Sequence, residues 1–272
     1  MTLASHLGGD GPPLLLFNGG LMTWGAWEPV AAPLRQRFTV LRFDFRGQLT
    51  SPADDDHPLP ADLAGHAADA AALLSEVGWD DRPVHLVGTS FGAEVAIELA
   101  ATRLGPNRRL ARSLSLVTAA DRSTPGFDAQ SAEMHRLVAD VLAGGDRGPF
   151  HEAVVERVYS AAWREANAVT LAARRTAMNQ VPPTWFAGAD ALVSAVEGFD
   201  LRPRLGEIDC PVLVVAAAYD RVFGTGPSEA LATALGGRLV VHPTSGHALV
   251  AEEPAWLAGV LLDFLDGLPA EP

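Results

Sequence analysis

A chain of 272 residues with 48% hydrophobic and 19% charged side chains is long enough to bury a large core. Its 33 acidic against 20 basic residues leave a formal net charge of −13. That balance excludes a basic face able to track phosphates, so neither nucleic acid nor an anionic membrane is an expected partner. The single cysteine, Cys210, cannot form an intrachain disulfide. No apolar stretch approaches the roughly 20 residues that span a bilayer, and the opening Met-Thr-Leu-Ala-Ser-His is not a charged region leading into an apolar one. The expected residence is cytoplasmic.

In chain order, Phe38 to Phe43 reads as a strand and Asp62 to Val77 as an alanine- and leucine-rich helix. Pro83 to Val87 reads as a strand that runs into Gly88-Thr89-Ser90-Phe91-Gly92, and Ala93 to Ala100 is helical. A serine thrust out at a sharp strand-to-helix turn needs flanking positions without a Cβ, which makes Ser90 a candidate nucleophile. The alternative is that Ser90 only caps the helix. Leu110 to Thr118 is the next strand, and strand alternating with helix implies a mostly parallel sheet flanked by helices.

From about Arg122 to Val196 the strand pattern stops. Glu133 to Leu142, Glu152 to Tyr159, Ala161 to Met178 and Ala189 to Val196 read as helices, which predicts an inserted helical cap over 122–196 and a core of 1–121 and 197–272. Strands return with Cys210 to Ala218, which ends at Tyr219-Asp220, and with Arg238 to His242, which runs through Pro243-Thr244-Ser245-Gly246 to His247. A serine hydroxyl needs a base, and the base an orienting carboxylate. His247 is the candidate base, favoured over His242, which lies at a strand end. His66, His85, His135 and His151 show no metal-ligand spacing, and no metal or cofactor is assigned.

With Ser90, Asp220 and His247 in that order, the chain resembles the α/β-hydrolase family over nearly its whole length. Leu14-Leu15-Leu16-Phe17-Asn18-Gly19-Gly20 resembles the family's early strand and oxyanion turn, and Asp44-Phe45-Arg46-Gly47-Gln48-Leu49-Thr50-Ser51 its Arg-Gly loop. Two departures stand out: Asn18 where many relatives have His, and Leu49 where Gly is usual. The resemblance implies an oxyanion hole from the Phe91 amide and one near Gly20 or Leu21, and a cap that shapes the pocket. Trp163, Trp185 and Leu21 are the candidate substrate contacts, although cap aromatic residues more often fill the cap's own core. Asp121, at the end of the strand before the insert, is the alternative acid. Asp44 is assigned to organising the Arg-Gly loop.

The implied reaction is acyl transfer to Ser90 from a carboxylic ester or lactone of a small hydrophobic substrate. A C–C bond hydrolase or a perhydrolase on the same fold is the enzymatic alternative, and a non-catalytic ligand binder the alternative from another class. Self-association into a homodimer is left open.

Overall fold

The computed structural model describes residues 3–54, 56–105 and 108–269. Met1 and Thr2, the start of the segment read above for a leader, lie outside them. The chain opens with β1 (Ser5–Gly8), β2 (Pro13–Phe17), a 3-10 turn (Trp24–Trp27), α1 (Glu28–Leu34), β3 (Thr39–Phe43), α2 (Leu63–Glu76), β4 (Val84–Thr89) and α3 (Phe91–Ala100). A hairpin, β5 (Arg103–Gly105) with β6 (Arg108–Arg109), precedes β7 (Ala111–Val117). Then come α4 (Pro125–Leu142), α5 (Gly148–Val158), α6 (Ala161–Ala166), α7 (Ala168–Ala177), α8 (Pro183–Ser194) and the short α9 (Arg202–Leu205). The chain closes with β8 (Val212–Ala217), α10 (Thr225–Leu235), β9 (Arg238–His242), α11 (Leu249–Glu252) and α12 (Pro254–Asp266).

Among the described residues the strands form a seven-stranded sheet in the order β1-β3-β2-β4-β7-β8-β9. Every pairing is parallel except that of the edge strand β1 with β3. The loops leaving β2, β3, β4, β7, β8 and β9 therefore gather at one edge of the sheet, where chemistry in an open α/β sheet belongs. Pro13–Phe17 is apolar at every position because both faces of β2 are covered. Leu15 and Phe17 join a core with Leu86, Leu116 and helices α2, α3 and α10, while Leu14 and Leu16 join a second core with Val87, Val215, Leu257 and Leu261 under α1 and α12.

The helical stretch between β7 and β8 differs in detail from the sequence reading. α4 begins eight residues earlier than Glu133, at Pro125, because Thr124 accepts the Phe127 N–H at 3.2 Å and proline suits the first helical position. The single helix read over Ala161 to Met178 is two, α6 and α7, broken at Asn167 (φ −113°, ψ 20°), whose side chain turns back to the Trp163 carbonyl at 2.9 Å. α8 starts at Pro183, not Ala189, and Leu192, Ala195 and Val196 pack into the sheet's first core. Cys210 lies before β8, half-buried, and not in the buried strand.

The insert leaves and rejoins the sheet through an antiparallel bridge between Arg122 and Asp200. It approaches the rest of the chain very closely at Gly188. A Cβ on Gly188 of α8 would lie 2.6 Å from the Gly47 carbonyl carbon and 2.9 Å from its Cα, so the helix can rest on the loop after β3 only without a side chain there. Gly188→Ala is expected to lower stability by about 1–3 kcal/mol through this overlap and to raise the protease sensitivity of the 122–196 segment. Denaturant melts and limited proteolysis measure both. An unchanged midpoint with unchanged cleavage would mean that α8 is free to lift away at no cost.

Candidate active site

At the end of β4 the chain turns directly into α3, and Ser90, half-buried between them, is forced to φ 51° and ψ −130°. The flanking glycines permit this. A Cβ at Gly88 would lie 2.7 Å from the Ala93 Cα, and one at Gly92 would lie 2.6 Å from the Phe17 carbonyl oxygen. The Ser90 N–H donates to the Val117 carbonyl at 3.0 Å, which ties the turn to β7. Phe91 is the first residue of α3, so its N–H is one of the donors that the helix itself leaves unpaired.

The loops after β8 and β9 bring Asp220 and His247 together. His247 Nδ1 lies 2.9 Å from Asp220 Oδ2, and both residues are buried. A carboxylate only accepts, so Nδ1 carries a proton, and in the neutral ring Nε2 then carries the lone pair. The other carboxylate oxygen of Asp220 accepts the N–H groups of Val222 at 2.8 Å and Phe223 at 3.1 Å, which fixes its orientation. Asp121 is placed elsewhere, its carboxylate 3.3 Å from Arg122. His242 is turned inward, accepting the Ser245 N–H at 3.1 Å with its ring against Trp256. Among the described residues no hydrogen bond joins Ser90 Oγ to His247 Nε2.

Sequence reasoning did not single out Thr118. It follows β7, sits at φ 47°, and donates from Oγ1 to the His247 carbonyl at 3.2 Å. Ser90 and His247 are thus anchored to consecutive residues, Val117 and Thr118. A threonine in a left-handed conformation has no sequence signature.

The turn after β2 is held by a buried polar cluster. Asn18 Nδ2 lies within 3.0 Å of the Phe43 carbonyl, Asp44 Oδ1 and Gln48 Oε1. Asp44 also accepts from the Trp24 N–H at 2.6 Å and the Thr50 hydroxyl at 2.5 Å, so it does organise the loop after β3, while Arg46 pairs instead with Asp69 of α2 at 2.6 Å. Gly20 packs against Phe91, since a Cβ there would be 3.8 Å from the Phe91 Cβ.

The candidate substrate contacts divide. Leu21 and Trp185 both pack against the insert's own core of Met134, Leu137, Val138, Val141, Phe150 and Phe186. Trp185 also lines a cleft of about 170 Å³ with Gln48, Leu49, Leu59, Pro182 and Thr184. Trp163 is apart from these, stacked on Tyr159 with ring centroids 4.3 Å apart. Beside it, Glu252 of α11 accepts from the Ser160 N–H at 2.8 Å, the Ser160 hydroxyl at 2.6 Å and the Gly246 N–H at 3.1 Å, which fastens the insert to the loop that carries His247.

Several titratable groups are displaced by burial. His66, packed edge-on to Phe45 and Phe91, and His85, bonded to Ser113, are both pushed down to about 4 by loss of solvent. His135 is raised by bonds to Asp190 and Glu197, which outweigh its burial. The largest change is at Glu94, one turn after Ser90: burial pushes its carboxyl from 4.5 up to about 8, against bonds from the Ala120 N–H at 3.0 Å and from its own backbone N–H.

A family model described as the alpha/beta hydrolase family matches residues 14–260. The protein named "Putative carbamate hydrolase RutD" of Pseudomonas savastanoi pv. phaseolicola is 30% identical over 264 residues, which cover 94% of this chain and 95% of that one. A pimeloyl-acyl-carrier-protein methyl ester esterase of Methylococcus capsulatus is 30% identical over 243 residues, 89% of each chain. The solved structure of a thermophilic esterase from Thermogutta terrifontis superposes with a TM-score of 0.81 at 25% identity, covering 97% of this chain and 93% of that one.

The raised Glu94 makes stability depend on pH in a defined direction. The folded chain keeps a proton that the unfolded chain releases above about 4.5, so stability falls as pH rises toward about 8. Glu94→Gln cannot release that proton. Relative to the parent, this variant is expected to gain roughly 1 kcal/mol for each pH unit between pH 5 and 8, read from urea midpoints at several pH values. A difference that stays flat with pH would refute a neutral carboxyl at this position.

Proposed function

The chain belongs to the alpha/beta hydrolase family and is a hydrolase, and from that premise we propose that it cleaves a carboxylic ester or lactone of a small hydrophobic substrate with Ser90 as nucleophile, His247 as base and Asp220 as orienting acid. The observation that carries the reading is the 2.9 Å bond from His247 Nδ1 to Asp220, with His247 held by Thr118, the residue after the Val117 that holds the strained Ser90 turn. His247 Nε2, with its lone pair free, takes the Ser90 proton as Oγ attacks the carbonyl carbon. That contact closes as substrate seats, in keeping with the long catalytic bonds common in unliganded sites. The Phe91 amide and an amide of the Gly20 turn receive the oxyanion. His247 then gives its proton to the departing alcohol, and water attacks the acyl-enzyme by the same route in reverse.

Residues 122–196 serve in this reading as the cap of a core formed by 1–121 and 197–272. They roof the site, and their Trp185 together with Leu21 of the turn after β2 sizes the acyl or alcohol group. The relative's esterase name favours an ester. A second reading, a carbamate, is favoured by the name of the other relative and requires no different machinery, since a carbamate carbonyl is open to the same attack. The single cysteine supports a reducing, cytoplasmic setting.

A screen of graded esters, lactones, thioesters and carbamates, with a ring-fission dienone as the C–C bond control, assigns the substrate class. Ser90→Ala is expected to fold normally, to lose most turnover and to abolish labelling by a fluorophosphonate. His247→Ala is expected to be comparably slow, and the double variant little worse, because the two act as a unit. Asp220→Asn should cost up to about four orders of magnitude in kcat and Asp121→Asn far less. Half the parent rate in Ser90→Ala would end the nucleophile assignment, and the reverse ranking of the two aspartates would move the acid to Asp121.

A further inference from the structure

Gln48 is the residue that stands where the loop after β3 meets the turn after β2, and it is 1% exposed. Its Oε1 accepts the Phe45 N–H at 2.9 Å and an Asn18 Nδ2 proton at 2.9 Å. Its Nε2 donates to the Gly19 carbonyl at 2.8 Å and to the Gly20 carbonyl at 3.2 Å. Two donors and two acceptor sites of the amide are all used. The orientation is unambiguous, because a backbone N–H can only give and a carbonyl can only take.

Those two carbonyls belong to the peptides whose N–H groups are Gly20 and Leu21. Among the described residues no peptide bond is cis. In a trans peptide the C=O and N–H point in opposite directions, so drawing both carbonyls toward Gln48 aims both N–H groups away from it. Gly20 lies against Phe91, whose own amide is the first unpaired donor of α3. The Gly19 carbonyl is secured a second time by the Met22 N–H at 3.0 Å, which closes a tight turn. Among the described residues the Gly20 carbonyl has no such second hold, and rotation of this middle peptide is the motion by which one turn type becomes another. With glycine leading it, that rotation meets little steric resistance.

We propose that Gln48 is the positioning residue of the oxyanion hole: it locks the Gly20–Leu21 peptide so that the Gly20 and Leu21 amides face the same space as the Phe91 amide. The proposal rests on the Ser90 mechanism above for its consequence in rate, but not for its consequence in structure. Gln48 itself touches no reacting atom. It does its work by denying a soft peptide its other orientation, and the buried Asn18 and Phe45 donors hold Gln48 in place in turn.

Two variants separate this from a packing role. Gln48→Met keeps volume and removes both donors; Gln48→Glu keeps the acceptor for Phe45 and Asn18 and supplies a single donor only while its carboxyl is protonated. In both, kcat on the best substrate is expected to fall by about 10–100-fold with KM within about two-fold, since an oxyanion contact is made in the transition state. For Gln48→Glu the loss should deepen as pH rises through the ionisation of the new carboxyl, a limb absent from the parent profile. Thermal melts at each pH keep unfolding apart from this effect. A crystal structure of Gln48→Met should show the Gly20 carbonyl rotated from its present direction, an outcome independent of any activity. Unchanged kcat in a folded variant, a loss carried by KM, or a Gly20 carbonyl that stays in place would each overturn the proposal. An inactive parent that Ser90 probes do not label would instead overturn the mechanism, leaving the crystal structure to decide the role of Gln48.

Discussion

The φ of 51° at Ser90 is the constraint on which the rest of this site is built. A residue with a Cβ in that region costs of the order of 1–3 kcal/mol and persists only where its surroundings over-determine it. Here α3 crosses so close to β2 and β4 that Gly88 and Gly92 admit no side chain, and the Ser90 N–H is committed to Val117. The adjoining strand end carries a second strained residue, Thr118 at φ 47°, whose N–H is bonded to Val215 at 2.8 Å and whose hydroxyl reaches the His247 carbonyl. Both outliers lie at the carboxyl ends of neighbouring central strands. Placing strain on the most buried part of the sheet gives it the stiffest available support.

The helical insert is coupled to each part of the site by a different contact. Gly188 presses on Gly47 beside the loop that positions the Gly19–Gly20 turn. Gln130 of α4 donates to the carbonyl of Arg221 in the Asp220 loop at 3.2 Å, and Phe127 stacks on Phe223, which in turn meets the His247 ring edge-on. The Ala248 N–H donates to Val158 at 2.7 Å, and Glu252 joins Ser160 to Gly246, so the two residues flanking His247 are both tied to the insert. A shift of α5 and α6 cannot leave the histidine loop untouched. The position of the insert and the setting of the His247 loop are therefore linked mechanically through Glu252 and Val158.

Much of this was legible in the sequence because the features are local. The Gly-x-Ser-x-Gly turn, the apolar runs of β2 and β8, and the order of Ser90, Asp220 and His247 need only neighbours in the chain to be recognised. The break at Asn167 and the early start of α4 at Pro125 were not legible, since helix periodicity persists on both sides of each and a cap residue decides between them. Thr118, Glu252 and Gln48 were missed for another reason. Each acts over a long sequence separation: 129 residues from Thr118 to His247, 92 from Glu252 to Ser160, and 28 from Gln48 to Gly20. No spacing rule reaches that far, and only the folded sheet makes these residues neighbours.

Two buried carboxyl groups, Glu94 and Asp220, differ in the donors they meet. Glu94 lies one turn along α3, where its donors are the Ala120 N–H and its own backbone N–H and its Oε2 has no partner among the described residues, so burial drives it to the neutral form. On Asp220 three N–H donors converge, from Val222, Phe223 and His247. Donors aimed at a carboxylate favour its charged form, and burial with too few of them favours the neutral form that Glu94 takes. The proximity of Asp220 itself adds to the rise at Glu94. Asp220 is thus bonded to the His247 ring while burial keeps Glu94 protonated, a difference that composition alone, with 33 acidic residues to choose among, could not reveal.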